Sequence, residues 1–315
     1  MKSYSLIVLF LISLSTHAQE VIVGEEDVIN QYPFTVQYLN LNVQKENLQM
    51  AYMDVLPMKS NGKTVLLLHG KNFSGAYWET TINSLRNEGY RVIVPDQIGF
   101  GKSSLPQNIQ YSFQLLAQNT KLLLDTLGIK NVYLIGHSMG GMLAIRMTLM
   151  YPQVIEKLVL EDPIGLNDFI KRRASSSIDE FYQNELQQDF LKIKEYQLKT
   201  YYHSVWKDEY NRWALMLSYH YSGDQKELYA WNSAKIFDMI NTQPVVFEIK
   251  KIRIPAMIIK GELDPMVPDR NTLQLLSSEI ERESNIRLAI LDGIGHIPHV
   301  EVSDTFNNMV IEFLK

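Results

Sequence analysis

In "VYLIGHSMGGMLAIRM", residues 132 to 147, an apolar run breaks into small residues around a single serine, Ser138, and then resumes as a helix-forming stretch. Gly136 and Gly140 stand two positions to either side of it. A strand that enters a helix through one tight residue strains the backbone there, and flanking glycines leave room for the close approach. The break lifts the hydroxyl above the sheet and turns the first amides of the next helix toward a developing anion. A serine hydroxyl is a poor nucleophile until a base takes its proton, and the base needs an acid to hold its tautomer. His296, in "DGIGHIPHVE", supplies the base and Asp264, in "KGELDPMVP", the acid. Asp162 also ends an apolar run and is the alternative acid, although it directly precedes Pro163 and reads equally well as the start of a turn.

Residues so far apart along the chain need a scaffold that gathers them. "FTVQYLNL" and "LQMAYMDVLP" predict two antiparallel strands, and "TVLLLHG", "YRVIVPD", "NVYLIGH", "KLVLEDP", "AMIIKGELD" and "RLAILDG" predict six buried strands of a largely parallel sheet. Helical segments lie between them. "AYWETTINSLRNEG" puts Trp78, Ile82 and Leu85 on one face, and "SFQLLAQNTKLLLDTLG" ends at Gly128 as a helix stop. Repeated strand–helix–strand order implies right-handed crossovers and a three-layer α/β sandwich. Ligands of such sheets bind at the carboxyl ends of the strands. Those ends carry His69-Gly70-Lys71, Asp96, Ser138, Asp162, Asp264 and His296. From residue 163 to 245 the alternation stops in favour of a helical stretch rich in tyrosine and holding three of the four tryptophans, which reads as an insertion over the carboxyl edge.

Taken together, "LLLHG", "PDQIGFGKSS", "GHSMGG", "GELDPMVP" and "GIGHIPHVE" resemble the α/β-hydrolase fold superfamily, in its serine-nucleophile branch with a helical cap. The resemblance implies a mostly parallel eight-stranded sheet flanked by helices, with core segments over residues 19–162 and 246–315 and a cap over 163–245. It implies an oxyanion hole from the backbone amides of Lys71 and Met139, and places Asn72, His137, Trp206 and Trp231 as candidates for substrate contact. Chain order, serine then acid then histidine, favours Asp264 over Asp162. His69 and His137 are expected to orient loops, His299 to pack beside His296, and Asp96 to close the "DQIGFGKSS" loop through backbone amides. A proline that the family carries two positions after Glu301 is Ser303 here, with only a local effect expected on the last helix.

The remaining chemistry narrows by exclusion. "GFGKSS" copies the end of a phosphate-binding loop, but Asp96 stands where that loop requires glycine. No H-E-x-x-H or ligand cluster argues for zinc, so no metal and no cofactor is expected. The 315 residues hold no cysteine, which excludes disulfides and thiolate metal sites. A net charge of −5 gives no reason to expect nucleic acid. Within the superfamily, epoxide hydrolases and haloalkane dehalogenases use aspartate at the position of Ser138, so serine points to acyl transfer. Carbon–carbon hydrolases and proline iminopeptidases usually carry a glycine-rich loop after His-Gly, where this chain has Lys71-Asn72-Phe73. A carboxylic ester or lactone of a small apolar group is the expected substrate. Amidase or carbon–carbon hydrolase chemistry on the same triad, and a non-catalytic binding member of the fold, are the alternatives. Residues 1 to 18 combine Lys2, an apolar stretch from Leu6 to Leu14 and a small-residue end at Ala18, which predicts a cleaved signal peptide and a periplasmic or secreted product without a stable membrane anchor.

Overall fold

The computed structural model describes residues 31–167, 177–281 and 286–315, so the expected leader lies outside the described residues. All eight expected strands form: β1 (Val36–Val43), β2 (Glu46–Val55), β3 (Thr64–Leu68), β4 (Arg91–Pro95), β5 (Val132–His137), β6 (Ile155–Glu161), β7 (Ala256–Gly261) and β8 (Ile286–Leu291). They make one sheet in the order β1-β2-β4-β3-β5-β6-β7-β8. β2 pairs antiparallel with both β1 and β4, and every pairing from β4 to β8 is parallel.

The period-two alternation of strand side chains divides the apolar residues between two cores. Leu66 and Leu68 of β3, Leu134 of β5 and Leu158 and Leu160 of β6 face one side. There they meet α2 (Phe113–Thr126) and α3 (Met139–Met150) through Leu116, Leu123, Met142 and Leu143. Val65, Leu67, Ile135, Val159 and Ile259 face the other, against α1 (Glu79–Asn87) and α10 (Ser303–Leu314). Trp78, Ile82 and Leu85 are buried there, as their helical spacing requires, although Trp78 belongs to a short 3₁₀ turn, Gly75–Trp78, that precedes α1. Ser112 caps α2 by accepting from the Leu115 amide at 3.1 Å, and Gly128 follows its end at φ +68°.

Between β6 and β7 stand α4 (Ile178–Leu186), α5 (Phe190–Thr200), α6 (Asn211–Tyr219) and α7 (Lys226–Thr242). α4 packs on α7 and α5 on α6. Ile193, Ala214, Leu217, Tyr221, Tyr229 and Ala230 form a small core of their own inside this insert. After β7 come α8 (Arg270–Glu281) and, past β8, the short α9 (Pro298–Glu301). Among the described residues, no helix is long and apolar enough to cross a membrane.

Candidate active site

The end of β5 shows why glycine brackets Ser138. Ser138 sits at φ +56° and ψ −118°, a conformation that L residues seldom adopt. A Cβ on Gly136 would fall 2.3 Å from the Gly140 carbonyl oxygen, and one on Gly140 would fall 2.2 Å from that of Leu68. Both positions therefore admit only hydrogen if α3 is to start this close to β3. The chain after β3 is equally tight. A Cβ on Gly70 would stand 2.9 Å from His137 Nδ1 and 3.3 Å from Ser138 Cβ, so the loop carrying Lys71 runs against the elbow.

Three loops then bring one side chain each to the same place. Ser138 Oγ lies 2.9 Å from His296 Nε2, and His296 Nδ1 lies 2.8 Å from Asp264 Oδ2. With Nδ1–H donating to the carboxylate, Nε2 is left to accept from the serine hydroxyl. Asp264 Oδ1 accepts from the Met266 amide at 2.8 Å. Burial pushes the Asp264 carboxyl up, but attraction to His296, its hydrogen bond and one from Asp162 outweigh this and hold it below its ordinary value. Asp162 is thus beside Asp264 rather than remote from it. Burial, then repulsion from Asp264, pushes the Asp162 carboxyl well up.

Several residues that sequence reasoning passed over hold these loops. Lys260 is 2% exposed, and its ammonium donates to the carbonyls of Gly261 at 2.7 Å, Asp264 at 3.1 Å and Glu262 at 3.3 Å, gathering the loop of the acid around one charge. Glu301 accepts from the amides of Gly295 at 3.1 Å and Ile297 at 3.3 Å, the neighbours of His296 on either side. Tyr201, at the end of α5, lays its ring on the His296 ring with centroids 5.0 Å apart. The Tyr201 carbonyl accepts from the His296 amide at 2.8 Å, and its hydroxyl accepts from Asn72 Nδ2 at 2.8 Å. The signal for Lys260 was available in the sequence, a cation inside an otherwise apolar strand. None marked Tyr201 among the many tyrosines of the insert.

The other histidines are committed elsewhere. His137 accepts at Nδ1 from the Tyr77 hydroxyl, 3.0 Å away, and Nε2–H donates to the His296 carbonyl at 2.7 Å. Burial pulls it down to about 3, so it stays neutral, and its two ring nitrogens are occupied by protein. It joins the elbow to the backbone of the base rather than facing a ligand. His69 accepts from the Gln97 amide and donates to the Gly70 carbonyl. His299 donates to Glu161 at 2.9 Å and stacks on Trp78. Asp96 accepts from the amides of Gly75 at 2.7 Å and Lys102 at 2.9 Å, closing its loop.

Of the aromatic candidates in the insert, Trp206 packs edge-on to Tyr202 and Tyr210 with its Nε1–H on Asn211, and Trp231 packs edge-on to Tyr182. A cavity of about 20 Å³ runs instead along Asn72, Phe73, Trp213, Met216, Leu217 and Tyr229, and neither Trp206 nor Trp231 lines it. Asn72 does. Lys71 sends its side chain into the insert, where Nζ meets Glu185 at 2.9 Å and Ser233 at 2.8 Å.

Comparison with known proteins agrees with the fold. The model of the alpha/beta hydrolase fold family matches residues 63–301. A crystal structure of a probable hydrolytic enzyme from Pseudomonas aeruginosa is 41% identical, covers 90% of this chain and 95% of its own, and superposes with a TM-score of 0.85. Lipase 1 of Psychrobacter immobilis is 30% identical over 252 residues, 77% of this chain and 74% of the lipase. The 2-hydroxy-6-oxononadienedioate/2-hydroxy-6-oxononatrienedioate hydrolase of Burkholderia vietnamiensis is 28% identical over 301 residues, 92% of this chain and 99% of that enzyme. With a family match across most of its length and hydrolases among its similar proteins, the chain belongs to the α/β-hydrolase fold family and is an enzyme, a hydrolase.

Proposed function

We propose that the protein is a serine hydrolase that cleaves a carboxylic ester or lactone of a small apolar substrate through an acyl-enzyme on Ser138. The observation that carries this reading is the unbroken chain from Ser138 Oγ through His296 to Asp264, with links of 2.9 and 2.8 Å. His296 Nε2 takes the serine proton as Oγ attacks the carbonyl carbon, while Asp264 stabilises the imidazolium that forms. The amides of Lys71 and Met139 hold the oxyanion. Their assignment is supported by the loop of Gly70 pressed against the elbow and by α3 beginning at Met139. The protonated His296 then gives its proton to the leaving alcohol oxygen, and a water deprotonated by the same nitrogen releases the acid and restores Ser138.

The apolar preference is drawn from Trp213, Met216 and Leu217 of the insert, which face Asn72 and Phe73, the residues directly after the Lys71 amide. The helices between β6 and β7 serve as the cap. Ser138 is 5% exposed and His296 1%, so substrate enters by displacement of that cap. Export follows from the leader read in residues 1 to 18. The name of the Burkholderia relative supports a second reading, carbon–carbon hydrolysis of a diketone on the same three side chains.

A fluorophosphonate label followed by a panel of p-nitrophenyl esters, lactones, aryl amides and a vinylogous diketone tests the proposal. Wild type should label and turn over short esters or lactones, and Ser138→Ala should lose the label and on the order of 10⁴-fold or more in kcat. Unchanged labelling or turnover in Ser138→Ala overturns the mechanism. Preference for the diketone selects the second reading, and a wild type inert to label and panel alike selects a binding protein.

A further inference from the structure

The end of β6 carries a second carboxyl that the mechanism above does not use. Asp162 is fully buried and stands at φ +39°, a left-handed conformation that strains a non-glycine residue. From there its side chain reaches across the sheet to the end of β7. Both carboxyl oxygens lie within reach of the Gly261 amide, at 3.1 and 3.2 Å, and the carboxyl stands beside that of Asp264. One ligating atom from each of Asp162, Asp264 and His296 lies within 4.8 Å of the other two.

Two buried carboxyls this close share one proton, because neighbouring carboxylates in a buried site do not both ionise. Asp264 is the ionised member, since it alone has the His296 Nδ1–H and the Met266 amide as donors. Asp162 has one shared amide and the anionic partner. The groups around the pair leave that assignment standing. Lys260 spends its ammonium on three backbone carbonyls, and Glu161, the preceding residue of β6, adds repulsion. Burial and Asp264 both keep the Asp162 proton in place at neutral pH.

Building on the triad proposed above, we infer that Asp162 is a positioning residue: it donates its proton to Asp264 in the resting enzyme, and when residue 264 cannot ionise it loses that proton to solvent and accepts the Nδ1–H of His296 in its place. The first role fixes the Asp264 oxygen that faces His296. The second makes the site tolerant of loss of its acid, because the replacement already stands within 4.8 Å of the imidazole.

The experiment is a double-mutant cycle on kcat/KM for a p-nitrophenyl ester from pH 5 to 9, using wild type, Asp162→Asn, Asp264→Asn and the double variant. Asp162→Asn should stay within about threefold of wild type, because its amide N–H replaces the donor to Asp264. Asp264→Asn should lose on the order of 10²-fold, well short of the roughly 10⁴ seen when a triad acid is removed without a substitute. The double variant should fall the remaining hundredfold. In Asp264→Asn alone, activity should climb with pH along an acid limb displaced upward from that of wild type, since Asp162 must now ionise, and the double variant should lack that limb. Asp162→Ser, a donor that cannot ionise, repeats the cycle if the asparagine variant does not fold. A second substitution without further loss, or an unshifted acid limb in Asp264→Asn, overturns the inference. A wild type that neither labels nor hydrolyses any ester overturns the triad reading as well, whereas an active wild type with a flat cycle overturns only the role of Asp162.

Discussion

The sheet edge and the helical insert meet around His296, and they are built by different rules. At the edge, position comes from backbone. Ser138, Asp264 and His296 follow β5, β7 and β8, and glycine keeps the loops within hydrogen-bond distance. In the insert, position comes from side chains packing on one another. Tyr202 stacks on Tyr210 with ring centroids 3.9 Å apart, and His220 on Tyr229 at 4.5 Å. The two regions are joined at many points, Tyr201 over His296, Lys71 against Glu185 and Ser233, Arg212 on Glu79 and Tyr111 on Asn232 among them. The difference teaches that the reacting groups depend on features intolerant of one extra methyl, while the cover can repack. A change at the edge should therefore cost turnover, and the same change in the interior of the insert should cost stability.

Gly261→Ala tests the edge most severely. The added Cβ would lie 1.8 Å from the Gly295 carbonyl oxygen, which is backbone and cannot swing away. Either β7 or the loop of His296 must move, and both carry a member of the triad. A displacement of about 1 Å costs about 10²-fold in kcat, and overpacking of this kind costs about 1–3 kcal/mol in stability. Steady-state kinetics beside a denaturant titration would show both. Kinetics within threefold of wild type would mean that the edge is more pliable than its contacts indicate.

The same contrast explains what could be read from the sequence. All eight strands and the insert were legible because buried apolar runs, turn residues and the sudden density of aromatic residues are local signals. Ser138, Asp264 and His296 were legible because each sits in a short motif at a strand end. Lateral spacing was not. Asp162 and Asp264 read as competing acids because nothing along the chain says that β6 and β7 are neighbours, and the structure puts oxygens of the two carboxyls within 4.8 Å. Trp206 and Trp231 read as candidates for substrate contact because composition locates aromatic residues in the insert but not the face they turn inward; they pack within the insert, and Trp213 lines the cavity instead. Tyr77 carries no motif, and Glu301, the last residue of "GIGHIPHVE", gives no sign along the chain that it ties down the loop of His296.

Glu185→Gln and Trp231→Leu separate the junction of the two regions from the interior of the insert. Lys71 Nζ and Glu185 are mostly shielded from solvent, so the glutamine leaves the ammonium with a neutral amide oxygen and Ser233 but without its countercharge. Because the Lys71 backbone is the proposed oxyanion donor, loosening its side chain should lower kcat/KM about tenfold, about 1.4 kcal/mol. Trp231→Leu should leave kcat/KM within threefold and lower stability by about 1 kcal/mol through its lost packing on Tyr182. Equal kinetic effects of the two substitutions would remove the distinction between junction and interior.

The smallest effect concerns pH, where the two regions should respond with opposite sign. Burial raises Glu161, at the edge, to about 7 from an ordinary 4.5. The folded state then holds a proton that the unfolded chain releases, so this group contributes stability present below pH 4.5 and lost as pH rises through 7. Burial lowers His220, in the insert, to about 4 from 6.5. Its contribution is present above pH 6.5 and lost as pH falls toward 4, because the unfolded chain takes up the proton first. Glu161→Gln keeps the acceptor for His299, and His220→Phe keeps the ring on Tyr229, so each removes the titration with little change in packing. Measured as Tm against pH relative to wild type, Glu161→Gln should gain on the order of 3 °C between pH 5 and 8. His220→Phe should gain a similar amount between pH 7 and 4.5. Groups common to both proteins cancel in each difference, so parallel curves for either variant would show that its buried group does not titrate across that window, and curves of the same sign would erase the contrast between edge and insert.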